Sequence, residues 1–400
     1  MKNPPVVAQR ILKSLTDRSE LRQWEVLIGG LLHRLELDAD ARADAERAYK
    51  ALGASIARKL NIPEHDVIVS PQGSMATQTT IRPRGNTNFD LDIFVELLGP
   101  GYDRLGPEQM FSLFGKALEG NESVTGVPEE KRRCWRLPYT GKPYYFDVTP
   151  AVKGLTYAGQ GMRVRDPDTQ WAPTNPREFA DWFCEIAKHR FQFSETFYRS
   201  LVMDSATVNP LPSEKIGIDD VLRRAVQLMK LHRDNMYWEA SQHDKDTNPI
   251  SIIIVTLAAQ AYDDLRASGA VFSSPLDAAL TLVAKMPEFI DQTNGIYKVL
   301  NPKLAGENFA DKWNHDGKAR ANQFGRWHNT LLDDLENLTH LNADRADEAT
   351  IRKVFGAAGV DAWNASRPAA PTQLGGLISS GLASANPKAP INPGSSNTLG

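Results

Sequence analysis

Cysteine is nearly missing from this 400-residue chain: Cys134 and Cys184 are the only two. Two thiols cannot build a disulfide framework, and such sparing use suits a reducing compartment. Long apolar runs are absent as well. No stretch is long enough to span a bilayer, and the N-terminal residues lack the hydrophobic core of a signal peptide. The expectation is a cytoplasmic protein without direct membrane contact. The eight histidines show no metal-ligand spacing, since His232 and His243 are too far apart for a one-turn pair and nothing resembles a zinc knuckle. There is no excess of positive charge either. A net charge of −3 argues against a generic nucleic-acid scavenger, leaving room only for a local basic patch. The remaining composition, 41% hydrophobic and 24% charged, is that of an ordinary globular enzyme. The length favours two lobes over one core.

Helical periodicity runs from Pro5 to about Leu60, with Val7, Ile11, Leu12 and Leu15 and then Trp24, Leu27, Ile28, Leu31 and Leu32 at helix spacing. Asp38 is placed to cap a third segment that ends at Asn61-Ile62-Pro63. The texture then turns to strand. Val67-Ile68-Val69 leads into Pro71-Gln72-Gly73-Ser74, a polar loop follows from Thr77 to Asn88, and Phe89 to Leu97 reads as a buried strand. Lys131 to Leu137 and Pro143 to Val152 flank a Thr140-Gly141-Lys142 hairpin turn. After about Gly161 a loop containing proline and tryptophan leads into helices. Asn175-Pro176 opens one that runs through His189. Asp219 is expected to cap the next, with Val221, Leu222, Ala225, Leu228 and Met229 as its apolar stripe and Arg223 and Lys230 on its polar face. Asn248-Pro249 starts a helix that is apolar nearly all round, and further helices are expected at Pro275 to Phe289, Lys318 to Leu341 and Ala346 to Ala358. From Ser366 onward Pro, Gly, Ser, Ala and Asn dominate, as in a disordered tail.

The informative combination is Gly73-Ser74, then Asp90-Leu91-Asp92, then Phe146-Asp147-Val148. A Gly-Ser turn can offer backbone N–H groups and a hydroxyl to phosphate oxygens. Asp90 and Asp92 lie two apart on a strand and so project together. A neighbouring strand that brings Asp147 opposite them would gather three carboxylates able to hold divalent cations. Unpaired buried carboxylates are costly without metal or partners. This is the pattern of nucleotidyl transfer, in which alignment and charge neutralisation do most of the catalysis. Asp147, on the side of the attacking hydroxyl, would complete the site and could take its proton. Lys131-Arg132-Arg133 and Arg136 read as a solvated strand face plus a rim.

On these residues the chain resembles the DNA-polymerase-β-like nucleotidyltransferases. More narrowly it is similar to the cGAS/DncV-like nucleotidyltransferases (CD-NTases) of bacterial CBASS anti-phage systems. The carrying stretches are Gln72 to Pro83 with Asp90-Leu91-Asp92, and Tyr145-Phe146-Asp147-Val148-Thr149-Pro150-Ala151-Val152. Weaker likeness continues through Arg224 to Lys230, Pro249 to Ile252, and Glu307 to Ala310 with Trp313. The long gap between Gly73-Ser74 and Asp90 favours the narrower family.

The resemblance implies an α/β (α+β) fold: a mixed nucleotidyltransferase sheet braced by N-terminal helices, over residues 1–175, then a helical lobe over 176–365 and a tail over 366–400. It implies Asp90, Asp92 and Asp147 as catalytic metal ligands for two Mg²⁺ ions, with Mn²⁺ as a substitute. Gln72, Gly73, Ser74, Lys230 and Ser251 would contact the nucleotide triphosphate, with Arg82 a further candidate for the same cleft. It also implies a cyclic di- or trinucleotide made from ATP, GTP or related NTPs and read by a separate effector protein. No zinc-ribbon insertion is present, so a double-stranded DNA activator is not expected. A tail ending in Leu399-Gly400 suits a ubiquitin-transfer-like conjugating enzyme acting on Gly400. The carboxylates alone fit any nucleotidyl transfer, so an RNA, protein or small-molecule acceptor is the enzymatic alternative. A catalytically silent binding module on the same fold is the other.

Overall fold

The computed structural model describes residues 18–366, apart from 83, 86–87, 99–100, 103, 121–125, 155–160, 194–218 and 340–345. The helix expected from Pro5 and the tail with Gly400 lie outside the described residues.

Helix α1 (Arg18–Arg34) and helix α2 (Ala39–Leu60) come first. Asp38 caps α2 as its position suggests, its carboxylate accepting from the Ala41 N–H at 2.8 Å. Asn61, left-handed at φ 52°, closes the other end by donating to the carbonyls of Ala57 and Arg58. Strand β1 (Val67–Pro71), the short helix α3 (Gly73–Thr77), strand β2 (Phe89–Leu97) and helix α4 (Pro107–Leu118) follow. Then come β3 (Glu129–Glu130), β4 (Trp135–Pro138), β5 (Tyr144–Lys153), β6 (Met162–Asp166) and β7 (Gln170–Thr174).

These strands form one mixed sheet in the order β1-β2-β5-β4-β3, with β6 pairing to the far part of β5 and β7 to β6. Only β2 and β5 run parallel; the other pairs are antiparallel. Alternation sorts the two faces. Leu91, Ile93 and Val95 of β2 and Phe146 and Val148 of β5 face a core closed by Leu52 and Ile56 of α2 and Met110 and Phe114 of α4. Asp90, Asp92, Tyr145 and Asp147 occupy the opposite face. The β6–β7 hairpin replaces the loop expected after Gly161. Asp166 builds its turn by accepting from the Asp168 and Thr169 N–H groups at 2.9 and 3.1 Å, and Gln170 takes a left-handed φ of 66°.

The rest is helical: α5 (Pro176–Lys188), α6 (Val221–Met236), α7 (Gln242–Thr247), α8 (Ser251–Ala267), α9 (Pro275–Lys285), α10 (Ala319–Thr339) and α11 (Glu348–Ser366), the last kinked at Gly356 (φ 69°). Their apolar faces make a second core, to which Trp24, Leu27 and Leu31 of α1 belong. The two N-terminal helices thus divide, α2 serving the sheet and α1 the helices.

Two expectations about α6 need correction. Its cap is Asp220, whose carboxylate accepts from the Arg223 N–H at 3.3 Å, while Asp219 is exposed and pairs with Arg190. The helix also has no solvated polar face over its first three turns, because Val221 through His232 are all buried. The polar residues of that stretch find carbonyls instead of water. Arg223 Nε donates to Thr77 O at 3.0 Å, Lys230 Nζ to Thr79 O at 3.0 Å and Gln227 Nε2 to Thr80 O at 3.5 Å. This polar stripe grips the turn that follows α3, and satisfied hydrogen bonds are what make such burial tolerable.

Candidate active site

The β2–β5 register sets the site. Asp92 stands opposite Asp147 and Asp90 opposite Tyr145, so two aspartates from one strand and one from the next share a single face. One carboxylate oxygen from each lies within 4.8 Å of the others. Among the described residues this is the only histidine, cysteine and carboxylate cluster placed to hold a metal ion.

Burial and mutual repulsion strain the cluster. Removal from water, with the charge of Asp147 as second cause, pushes the Asp90 carboxyl up to about 6. Burial, then Asp90 and Asp147, push Asp92 up to about 8. The buried Asp90 Oδ1 has no hydrogen-bond partner. An acceptor-only oxygen facing two other carboxylates fits a divalent cation, since a cation reverses the local charge logic. Asp147 is held differently. Arg136 grips it in a fork, Nε on Oδ1 at 2.8 Å and Nη2 on Oδ2 at 2.7 Å, with the guanidinium 4.1 Å from the centre of the Tyr145 ring. Arg136 is therefore not part of a solvated rim. The sequence carries a signal for it: folding the hairpin about Gly141-Lys142 sets Arg136 against Asp147. Arg132 and Arg133 are likewise engaged, both with Asp166.

Beside the carboxylates the chain turns from β1 into α3. Gln72 donates its N–H to the Asp92 carbonyl at 2.9 Å and its side chain to Thr149 at 3.1 Å, which docks the turn against both central strands. Gly73 follows with φ 56°, and a β-carbon there would sit 2.4 Å from Asp92 Oδ2. Only glycine fits both the conformation and the approach. The Ser74 hydroxyl accepts from Thr80 at 3.2 Å.

Gly73, Ser74, Asp90, Asp92, Lys230 and Ser251 line one cleft of about 360 Å³, whose other walls include Thr77, Thr79, Thr80, Ile81, Phe179, Arg233 and Asp234. Asp147 and Gln72 are not among its lining residues, and the Gln72 side chain is turned toward Thr149. Arg82 is exposed and lies over the Phe89 ring at 5.4 Å instead of lining the cleft. The Lys230 ammonium is buried; burial first, then the nearby charge of Arg233, pull it down to about 8, against the opposing pull of Asp234, Asp92 and Asp90. Arg233 was missed in the sequence although it follows Lys230 by three residues and so shares its face.

Comparison with known proteins agrees with this geometry. Residues 29–186 match the Second Messenger Oligonucleotide or Dinucleotide Synthetase (SMODS) domain. A c-di-GMP synthase of Roseivirga ehrenbergii is 27% identical over 343 residues, 84% of each protein. Among solved structures, the CD-NTase CdnG of Bradyrhizobium diazoefficiens, in complex with GTP, shares the fold with a TM-score of 0.63 at 24% identity, over 85% of this chain and 97% of that one. Vibrio cholerae DncV in a 3′-deoxy GTP bound form shares it with a TM-score of 0.54 at 16% identity, over 83% and 94%. The SMODS match spans the Gly73-Ser74 turn and all three carboxylates, and the fold is the one that these solved CD-NTases share.

Proposed function

We propose that the chain joins two GTP molecules into a cyclic dinucleotide for anti-phage signalling, with residues 1–175 as the nucleotidyltransferase part and 176–365 as a helical part. The observation that carries the chemistry is the convergence of Asp90, Asp92 and Asp147 beside the Gly73-Ser74 turn. Guanine is supported by the relatives, one named a c-di-GMP synthase and one solved in complex with GTP.

Asp90, Asp92 and Asp147 would hold two Mg²⁺ ions, or Mn²⁺, which when bound neutralise the triphosphate and activate the attacking hydroxyl. Asp147 keeps lone pairs for this, because Arg136 occupies only part of the roughly four acceptor sites of a carboxylate. Gly73 and Ser74 cradle the triphosphate, and Lys230 supplies a positive charge to the same cleft. The hydroxyl oxygen of one nucleotide bonds to the α-phosphorus of the other as the bond to the β-phosphate breaks and pyrophosphate leaves. The hydroxyl proton passes to solvent by way of Asp147. A second such transfer closes the ring.

Purified protein incubated with the four NTPs and Mg²⁺ should give a phosphatase-resistant product of two GMP units by mass spectrometry. An Asp90→Ala/Asp92→Ala variant, or excess EDTA, should give none. A product containing other bases would overturn the choice of GTP, and no cyclic product from any NTP would overturn the proposal.

Lys230 gives a pH signature. The free enzyme loses this charge as the pH rises through about 8, so kcat/KM for NTP should fall on the alkaline side with a limb there. Lys230→Arg should lack the limb, because arginine stays charged. Stability should move the other way. The unfolded lysine holds its proton to a pKa of about 10.4, so between the two values the unfolded state binds more protons and stability rises with pH. Rate profiles and melting curves from pH 7 to 10 check both signs.

A further inference from the structure

We infer that Arg233 is the positioning residue that aims the Ser251 hydroxyl into the nucleotide cleft. The inference deepens the proposed function and rests on reading that cleft as the triphosphate site. Arg233 sits on α6, one turn beyond Lys230, with its side chain 12% exposed. All three of its guanidinium nitrogens donate within the protein. Nε and Nη2 donate to Asp234 Oδ1 at 2.8 and 2.6 Å. Nη1 donates to the Ser251 hydroxyl oxygen at 2.8 Å and to the Pro249 carbonyl at 3.1 Å. With four of its five N–H donors taken in this way, the guanidinium is held in place within the cleft wall more than it is free to receive a phosphate. It is placed to hold the group that does.

Ser251 is the first residue of α8, and Ile250, not Ser251, is the cap, with no side-chain capping bond. The hydroxyl is therefore not spent on the helix end. A serine hydroxyl has one proton and two lone pairs. Arginine only donates, so the 2.8 Å contact consumes a lone pair and turns the proton away from Arg233. Among the described residues no acceptor takes that proton, and Ser251 lines the cleft with Lys230 and Asp92. The same guanidinium, through Pro249, fixes the turn that feeds α8, so the backbone N–H groups at that end share the hydroxyl's aim. A three-way grip on a carbonyl, a hydroxyl and a carboxylate needs a planar fork, which lysine lacks.

Binding of a non-hydrolysable GTP analogue with Mg²⁺, measured by calorimetry, tests this on the full chain. Arg233→Met and Ser251→Ala should each weaken binding about tenfold, the loss of one hydrogen bond to a charged group. The double variant should be about tenfold weaker, not a hundredfold, because both changes remove one oriented donor. In turnover assays the loss should appear in KM more than in kcat. Arg233→Lys, which keeps the charge and guards against misfolding of the methionine variant, should not restore affinity. Undiminished binding by Arg233→Met, a hundredfold loss in the double variant, or full rescue by lysine would each overturn the inference. Wild-type protein that binds no analogue would overturn the nucleotide reading itself, and this inference with it.

Discussion

Replacing Asp92 with asparagine is expected to abolish product formation, by about 10³-fold or more, while making the metal-free protein more stable. The two effects have one cause. Burial first, and then the charges of Asp90 and Asp147, push the Asp92 carboxyl up to about 8. The unfolded chain releases that proton near 3.9. Between those values the folded state keeps a proton that the unfolded state has lost, so stability falls as the pH rises across that window. Asparagine keeps the shape and removes the charge. Its expected gain at pH 7 is on the order of 1–3 kcal/mol, and the gain should vanish below about pH 4. Denaturant melts in EDTA at pH 4 and pH 7, beside turnover assays in Mg²⁺, check this. A variant that is inactive and also less stable at pH 7 would show that Asp92 serves the fold instead of straining it.

Gly73→Ala is the second change with a large expected effect. The residue has φ 56°, where an L side chain costs roughly 1–2 kcal/mol. The added methyl would also meet Asp92 Oδ2 at 2.4 Å. Either the turn moves away from the strand or the carboxylate rotates out of the cluster, and both displace a part of the site. We expect kcat/KM for NTP to fall about 10²- to 10³-fold, with KM and kcat both affected because the turn and the carboxylate shift together. Gly30, by contrast, has an ordinary φ, and a methyl added there would meet nothing within 4 Å, so Gly30→Ala should leave activity unchanged. Steady-state kinetics on the two variants separate a specific close approach from a general intolerance of alanine.

The sequence made the strand carrying Asp90 and Asp92 legible because Phe89 to Leu97 is apolar and bounded by polar loops, and β2 spans those residues. The hairpin around Gly141 was legible for the same reason. The β6–β7 hairpin was not. Met162-Arg-Val-Arg-Asp and Gln-Trp-Ala-Pro-Thr174 alternate weakly, and Pro173 argues against a strand, yet at the edge of the sheet a proline is tolerated. Side-chain roles across long separations were the least legible. Lys230 reads from the sequence as a polar-face lysine reaching for the triphosphate, but its burial depends on Thr79, 151 residues away. The grip of Arg233 on Ser251 depends on how α6 and α8 are set side by side, which neither helix alone reveals. Arg136 falls between these cases. Its partner follows from hairpin register, but its alternation with Lys131 to Arg133 resembles an ordinary wet face.

The parallel pairing of β2 and β5 also bears on how this enzyme can change over time. The spacing of its three carboxylates comes from backbone hydrogen bonds between two strands. A single-residue deletion or insertion in either strand would send its aspartates to the apolar face and leave Leu91 or Phe146 in the cleft. The segments before β2 and between β2 and β5 can gain or lose residues without touching that spacing. Length variation should therefore collect in those connections, while the two strands admit substitutions only.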